Sequence, residues 1–241
     1  MKIWAHRGCS LRYPENTLLA FEKAAALAGL EGIETDVQLT RDGQIVILHD
    51  ERLDRTTEMK GWVKDYTLAE LKSIYVKTAH GEFQEKIPTL EEVLDLLKDR
   101  MKEGLRLNIE LKNSEVEYPG LEEKVIETVD RFGLSEHILY SSFNAQSLGT
   151  LRRLLPDADI GMLSDKASDC LKMMSGPCRV DAIHPCGEEI DLPPEKLAGM
   201  TVRAWFTGPL YPEKGGERMN LTAYEAMGVT DVFINDPEEY L

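Results

Sequence analysis

Long apolar runs are missing from this 241-residue sequence. No stretch approaches the roughly 18 uninterrupted apolar residues that a membrane span requires, so no transmembrane segment is expected. Met1-Lys2-Ile3-Trp4-Ala5 leads straight into charged sequence, which leaves no room for a signal peptide and points to a cytoplasmic protein. Cysteine is scarce. Cys9, Cys170, Cys178 and Cys186 form no CxxC pair, which favours reduced thiols in a cytosolic protein over disulfides or a zinc site. Positive charge is short as well, with 28 Lys and Arg against 43 Asp and Glu. The resulting net charge of -15 argues against nucleic acid or anionic lipid as a partner. A phosphate-bearing ligand would therefore need positive charge gathered locally, from Arg, Lys or a metal ion. No Pro/Gly/Ser linker, internal repeat or low-complexity segment divides the chain, so residues 1–241 are expected to form one domain, and the composition leaves room for a homo-oligomer.

What is present is an alternation. Short apolar runs predict strands at Lys2–Ala5, Gly32–Val37, Ile45–Leu48, Leu105–Leu111, Ile138–Ser141, Asp159–Leu163, Asp181–His184, Thr201–Phe206 and Asp231–Ile234. Amphipathic segments at Thr17–Ala28, Leu90–Lys102, Leu121–Phe132 and Ala145–Leu155 separate several of them. In Leu90–Lys102 the set Leu90, Val93, Leu94, Leu97 and Met101 follows helical spacing, and Thr89 with Glu92 forms a capping-box pattern. Repeated strand–helix units predict an α/β chain folded as a (β/α)8 TIM barrel, although nine runs compete for eight places. The Asp36–His49 stretch is too short for a normal crossover helix and contains the turn pair Asp42-Gly43. Residues 50–87, after the third strand, interrupt the alternation and read as a small insertion on the barrel's top face, with a helical piece at Leu68–Ile74.

The chemistry gathers at strand ends. Glu34 and Asp36 are two apart on one strand, so both carboxylates face one side, and Glu110 sits late in another strand. Three carboxylates buried together call for a cation, and all-oxygen ligands select a hard one, Mg²⁺ or Ca²⁺. Two of the five histidines, His6 and His49, end short apolar runs, and phosphodiester cleavage needs one proton acceptor and one donor. His80, His137 and His184 read as structural. Arg7 offers a fork suited to phosphate oxygens, and Lys112 aims at the same side as Glu110.

These residues, taken with their neighbours, resemble the glycerophosphodiester phosphodiesterase family. The resemblance runs through His6-Arg7-Gly8, Pro14-Glu15-Asn16-Thr17, Ala20-Phe21, Glu34-Thr35-Asp36-Val37, Thr40-Arg41-Asp42-Gly43, His49-Asp50 and Arg55-Thr56-Thr57. It resumes at Pro88-Thr89-Leu90-Glu91-Glu92, Ile109-Glu110-Leu111-Lys112, Ser141-Ser142-Phe143 and Ala204-Trp205. Each string alone is weak, whereas the ordered set is highly specific. The resemblance implies a divalent metal at Glu34, Asp36 and Glu110 and an acid/base pair in His6 and His49. It also implies phosphate binding by Arg7 and Lys112, and a pocket lined in part by Trp205. The expected reaction is hydrolysis of glycerophosphodiesters, such as glycerophosphocholine or glycerophosphoethanolamine, to sn-glycerol 3-phosphate and an alcohol. The rival readings are a phospholipid-cleaving enzyme of the sphingomyelinase D type and a non-catalytic phosphodiester-binding barrel. Three places depart from the family pattern: Asn235-Asp236-Pro237 where Thr-Asp-Pro is usual, Phe206–Pro212 after the Trp, and Thr57–Gly61 in the insertion. All three are expected to lie away from the charged core and to bear on substrate preference.

Overall fold

The computed structural model describes residues 1–77, 83–174, 179–206 and 218–241. His80, Cys178 and residues 207–212 lie outside the described residues. Among the described residues nine strands form: β1 (Lys2–His6), β2 (Gly32–Leu39), β3 (Ile45–Ile47), β4 (Arg106–Leu111), β5 (Ile138–Ser142), β6 (Asp159–Ser164), β7 (Ala182–Pro185), β8 (Thr201–Ala204) and β9 (Asp231–Ile234). Eight are parallel staves in the order β1-β9-β8-β7-β6-β5-β4-β2, and the β1–β2 pairing closes the ring. The ninth resolves the excess of strands seen in the sequence. β3 returns antiparallel along β2, pairing Val37 with Ile47 and Leu39 with Ile45, and it stands outside the barrel. A tight turn permits only this antiparallel return, because a parallel crossover needs a dozen or more residues.

The helices are α1 (Leu18–Ala25), α2 (Leu68–Lys72), α3 (Leu90–Lys102), α4 (Leu121–Phe132), α5 (Ala145–Leu154), α6 (Ala167–Met174), α7 (Pro194–Leu197) and α8 (Leu221–Ala226). In α3 both halves of the Thr89–Glu92 capping box form, and Leu90, Val93, Leu94, Leu97 and Met101 are buried. The inserted stretch folds around its own small cluster, Leu53, Val63, Leu71, Val76 and Ile87, which packs against Val46 and Leu48 of the hairpin.

Strand alternation divides the staves into two faces. Ile33, Val37, Leu107, Ile109, Ile160, Met162, Ile183, Val202 and Val232 join the main apolar cluster with the helices. The alternate residues turn inward, and most of those are polar. At the bottom of the barrel Asp159 accepts from Arg106 (2.9 Å) and from both terminal nitrogens of Arg203 (3.1 and 2.8 Å). Asp231 accepts from the Trp4 indole at 2.9 Å. Above these, Trp4 packs with Phe233 and lies so close to Gly32 that a Cβ there would meet the indole at 2.3 Å. Burial alone would raise the Asp159 pKa, but the Arg203 and Arg106 contacts hold it below the ordinary carboxylate value.

Asp159→Asn strips a charged partner from Arg203, which is buried, and should cost about 2–3 kcal/mol at pH 7 by urea unfolding. A carboxylate with a lowered folded pKa stabilises above its unfolded pKa and loses that contribution as pH falls through the folded value. The gap between wild type and variant should therefore shrink at acid pH; equal stability at pH 7 would reject the account.

Candidate functional site

Because all eight staves run in parallel, their C-terminal ends meet at one mouth. Register brings His6 beside Glu34, Glu34 beside Asn108, and Asp36 beside Glu110. His49 arrives separately, just past β3. Arg7 leaves β1 in the left-handed region (φ 59°), as does Asn16 (φ 56°). Neither is glycine, so both positions store strain. The strain is held by hydrogen bonds from the Arg7 amide to Glu34 Oε2 (3.1 Å) and from the Asn16 amide to the Arg7 carbonyl (3.1 Å).

Glu34, Asp36 and Glu110 are all buried, and each offers an oxygen within 4.8 Å of the others. Asn16 donates to Asp36 Oδ2 at 2.8 Å while its own carbonyl oxygen accepts from the Thr35 hydroxyl. Glu34 Oε1 and Asp36 Oδ1 remain buried without a hydrogen-bond partner among the described residues. Burial and the charges of Asp36 and Glu110 push the Glu34 carboxyl well above its ordinary value. Burial opposes ionisation of Asp36 too, but His49, Arg7 and Lys112 bring it down to about 2. Orphaned oxygens on a crowded all-carboxylate trio are what a hard divalent cation requires, so the residues fit such an ion.

The cations sit around the trio. Lys112 Nζ lies 3.0 Å from Glu110 Oε1 and 3.2 Å from His49 Nε2. Burial works against its charge, yet Glu110 and Asp36 keep it an ammonium. Arg7 reaches Glu15 at 3.0 Å and Asp36 at 3.5 Å. From Glu15 a chain of ion pairs continues through Arg55 to Asp50, whose Oδ1 lies 2.7 Å from His49 Nδ1. Burial favours the neutral acid at Asp50, but hydrogen bonds from His49 and Arg55 hold it well below the usual range.

His6 is buried more deeply than His49. Its Nδ1 lies 2.8 Å from Asn235 Oδ1, an acceptor, so Nδ1 carries the hydrogen and Nε2, 3.8 Å from Glu34 Oε2, keeps its lone pair. Desolvation, aided by Arg7, lowers its pKa to about 3, so the ring is neutral. This contact corrects one expectation. Asn235, the departure in Asn235-Asp236-Pro237, touches the charged core, because β9 ends beside β1.

A cavity of about 560 Å³ joins these groups. Charged groups make up much of its lining, and Phe143, Leu163, Trp205, Phe206 and Phe233 supply its apolar surface. Trp205 donates its indole N–H to the His184 carbonyl (3.0 Å) and meets Phe143 edge-on at 5.9 Å. His184, read as structural from sequence, also lines the cavity; it fits because Gly161 has no side chain, where a Cβ would come 2.2 Å from its ring. His137 lies in a 3₁₀ turn before β5, outside the cavity. The geometry thus gathers His6, Arg7, Glu34, Asp36, His49, Glu110, Lys112 and Trp205. Sequence reasoning gave no role to Glu15, Asn16, Asp50, Arg55, Phe143 or Asn235. All but Asn235 fall within the strings that carry the family resemblance, and Asp50 carried a further signal as a carboxylate next to a candidate histidine.

A model of the glycerophosphoryl diester phosphodiesterase family matches residues 6–184. The chain is 48% identical over 165 residues to the protein YqiK of Bacillus subtilis, covering 68% of this chain and 66% of that one. It is also 48% identical over 167 residues to a glycerophosphodiester phosphodiesterase of Bacillus altitudinis, covering 68% and 66%. The matched stretch thus spans just under two thirds of these relatives' length. Among solved structures, an Oleispira antarctica phosphodiesterase in complex with its product sn-glycerol-3-phosphate superposes with a TM-score of 0.78 at 31% identity, covering 99% and 94% of the two chains. A Thermotoga maritima glycerophosphodiester phosphodiesterase superposes at 0.72 with 25% identity, covering 99% and 96%. With its closed barrel and the match over residues 6–184, this chain belongs to the glycerophosphoryl diester phosphodiesterase family.

Proposed function

We propose that this chain, as one barrel domain in the cytosol, hydrolyses glycerophosphodiesters to sn-glycerol 3-phosphate and a free alcohol. The observation that carries the reading is the buried Glu34–Asp36–Glu110 trio, with its orphaned oxygens, sharing one cavity with His6, His49, Arg7 and Lys112. A Mg²⁺ or Ca²⁺ ion bound by those three carboxylates would offset charge growing on the phosphoryl oxygens. Arg7 and Lys112 orient the phosphate and add to that offset. His6, neutral and with a free Nε2, takes the proton of the nucleophile, which is water, or first the neighbouring glycerol 2-hydroxyl, in which case water then opens the resulting cyclic phosphate to glycerol 3-phosphate. The phosphorus–oxygen bond to the head group breaks, and His49, acting from its doubly protonated form with Nδ1–H held by Asp50, gives its Nε2 proton to the departing alkoxide.

The aromatic wall of Phe143 and Trp205 suits the glycerol and head-group carbons. At the rim, Glu51 and Glu115 line the cavity without a salt bridge among the described residues. Burial pushes the Glu51 carboxyl upward, with Lys112 opposing the rise and Glu115 adding to it. Two such carboxylates favour a cationic alcohol, choline or ethanolamine, over inositol. The large exposed apolar residues, Tyr75, Leu96, Leu154 and Leu241, lie away from the cavity, which speaks against a lipid-docking rim among the described residues.

Glycerol 3-phosphate release should be measured from the choline, ethanolamine and inositol diesters with Mg²⁺, Ca²⁺ or a chelator. Release is expected with metal only, fastest from the cationic diesters; none from any of them would reject the function. His49→Ala should slow the choline diester by about 10²–10⁴-fold. It should largely spare the p-nitrophenyl ester of glycerol 3-phosphate, whose phenolate leaves unprotonated, whereas His6→Ala should slow both. Equal losses in the two variants would reverse or abolish the assignment. In a thermal melt, added metal should raise the wild-type midpoint. Glu34→Gln, relieved of one crowded acid, should melt no lower than metal-free wild type and show no metal-dependent rise; an unchanged rise would remove Glu34 from the ligands.

A further inference from the structure

His49 stands outside the ring of staves, so something other than barrel pairing must fix it. The segment that carries it turns sharply at Leu48–Asp50, and three successive carbonyls there point at one side-chain amide. Gln38 Nε2 lies 2.8 Å from the Leu48 carbonyl, 3.3 Å from that of His49 and 2.8 Å from that of Asp50. Gln38 is fully buried. It is also the third member of the Glu34, Asp36, Gln38 series, so the strand that presents two carboxylates to the cavity extends the same face to this turn.

The amide has two N–H groups for three acceptors, so at least one hydrogen is shared. Its orientation is set from the other end. The Tyr118 hydroxyl donates to Gln38 Oε1 at 3.0 Å. Tyr118 is buried, and desolvation raises its pKa, so it stays a protonated donor. Turning the amide over would set its oxygen against three carbonyls and its N–H₂ against the Tyr118 hydroxyl. The Leu48 amide meanwhile donates to the Asp36 carbonyl at 3.2 Å, which ties the same turn to the strand of the acidic trio.

We propose that Gln38, oriented by Tyr118, is the positioning residue that sets the His49 ring over the cavity. It acts by gathering the Leu48, His49 and Asp50 carbonyls onto one amide. This rests on the reading that His49 protonates the leaving group. Gln38 touches no substrate in this account. It fixes the backbone from which both His49 and its partner Asp50 project, so its loss displaces the pair together.

The test uses the full chain with two substrates, glycerophosphocholine and the p-nitrophenyl ester of glycerol 3-phosphate. Gln38→Met keeps the length of the side chain and removes the amide. It should lower kcat on the choline diester by roughly 10–100-fold, with KM within about twofold, because misplacement of a catalytic group by about 1 Å costs on that order. The aryl ester should lose far less, and metal affinity by calorimetry should not change. Tyr118→Phe should show the same split at smaller size, and it decides the matter if Gln38→Met fails to fold. In a His49→Ala background Gln38→Met should add no further loss on the choline diester. Equal losses on both substrates, a fall in stability with kcat intact, or additive losses in the double variant would overturn the proposal. If His49→Ala alone leaves the choline diester unaffected, the reading of His49 fails, and that outcome is visible before Gln38 is altered.

Discussion

Everything at the top of this barrel answers to one unfavourable interaction, the repulsion among Glu34, Asp36 and Glu110 packed within 4.8 Å away from water. Left alone, such a group would protonate or pull the strand ends apart. The chain opposes it with fixed cations in two directions, Arg7 against Asp36 and Lys112 against Glu110, and with the Asn16 amide on Asp36. That compensation is incomplete, since Glu34 Oε1 and Asp36 Oδ1 still lack hydrogen-bond partners among the described residues. The strained backbone at Arg7 and Asn16 belongs to the same problem, because those conformations aim the Arg7 amide at Glu34 and the Asn16 side chain at Asp36. Strain, burial and repulsion are concentrated where an incoming phosphate and cation would relieve them.

The barrel tolerates this because its strands keep stability and chemistry on opposite faces. Outward residues such as Ile33, Val37, Ile109 and Val232 pack under the helices. Inward positions are free to be Glu, His, Arg or Asn, arranged as an ion cluster at the bottom, a tryptophan and phenylalanine layer above it, and the charged cavity at the top.

Much of this was legible in the sequence, for identifiable reasons. Short apolar runs marked all nine strands, and the Thr89–Glu92 pair with its apolar spacing marked α3 from Leu90 to Lys102. The short Asp36–His49 span with Asp42-Gly43 foretold a departure from strand–helix alternation, but not that Ile45–Ile47 would leave the barrel, since its apolar residues look like those of any stave. The parity of Glu34 and Asp36 placed both at one site, and extending it by two would have reached Gln38. Asn235 was out of reach. Its contact with His6 spans 229 residues and exists only because the closing strand β9 lies beside β1, a fact of closure rather than of local pattern.

The path Arg7–Glu15–Arg55–Asp50 has a consequence of another kind. Glu15 belongs to the loop after β1, whereas Arg55 belongs to the inserted stretch, so two hydrogen bonds from one guanidinium to Glu15 fasten two sequence-distant loops at the mouth, while two more hold Asp50 within its own segment. Arg55 is half exposed, unlike the acidic trio beneath it. Dissolved ions screen contacts of that kind and leave buried ones largely untouched. Ionic strength therefore loosens the doorway of this cavity while leaving its floor as it was.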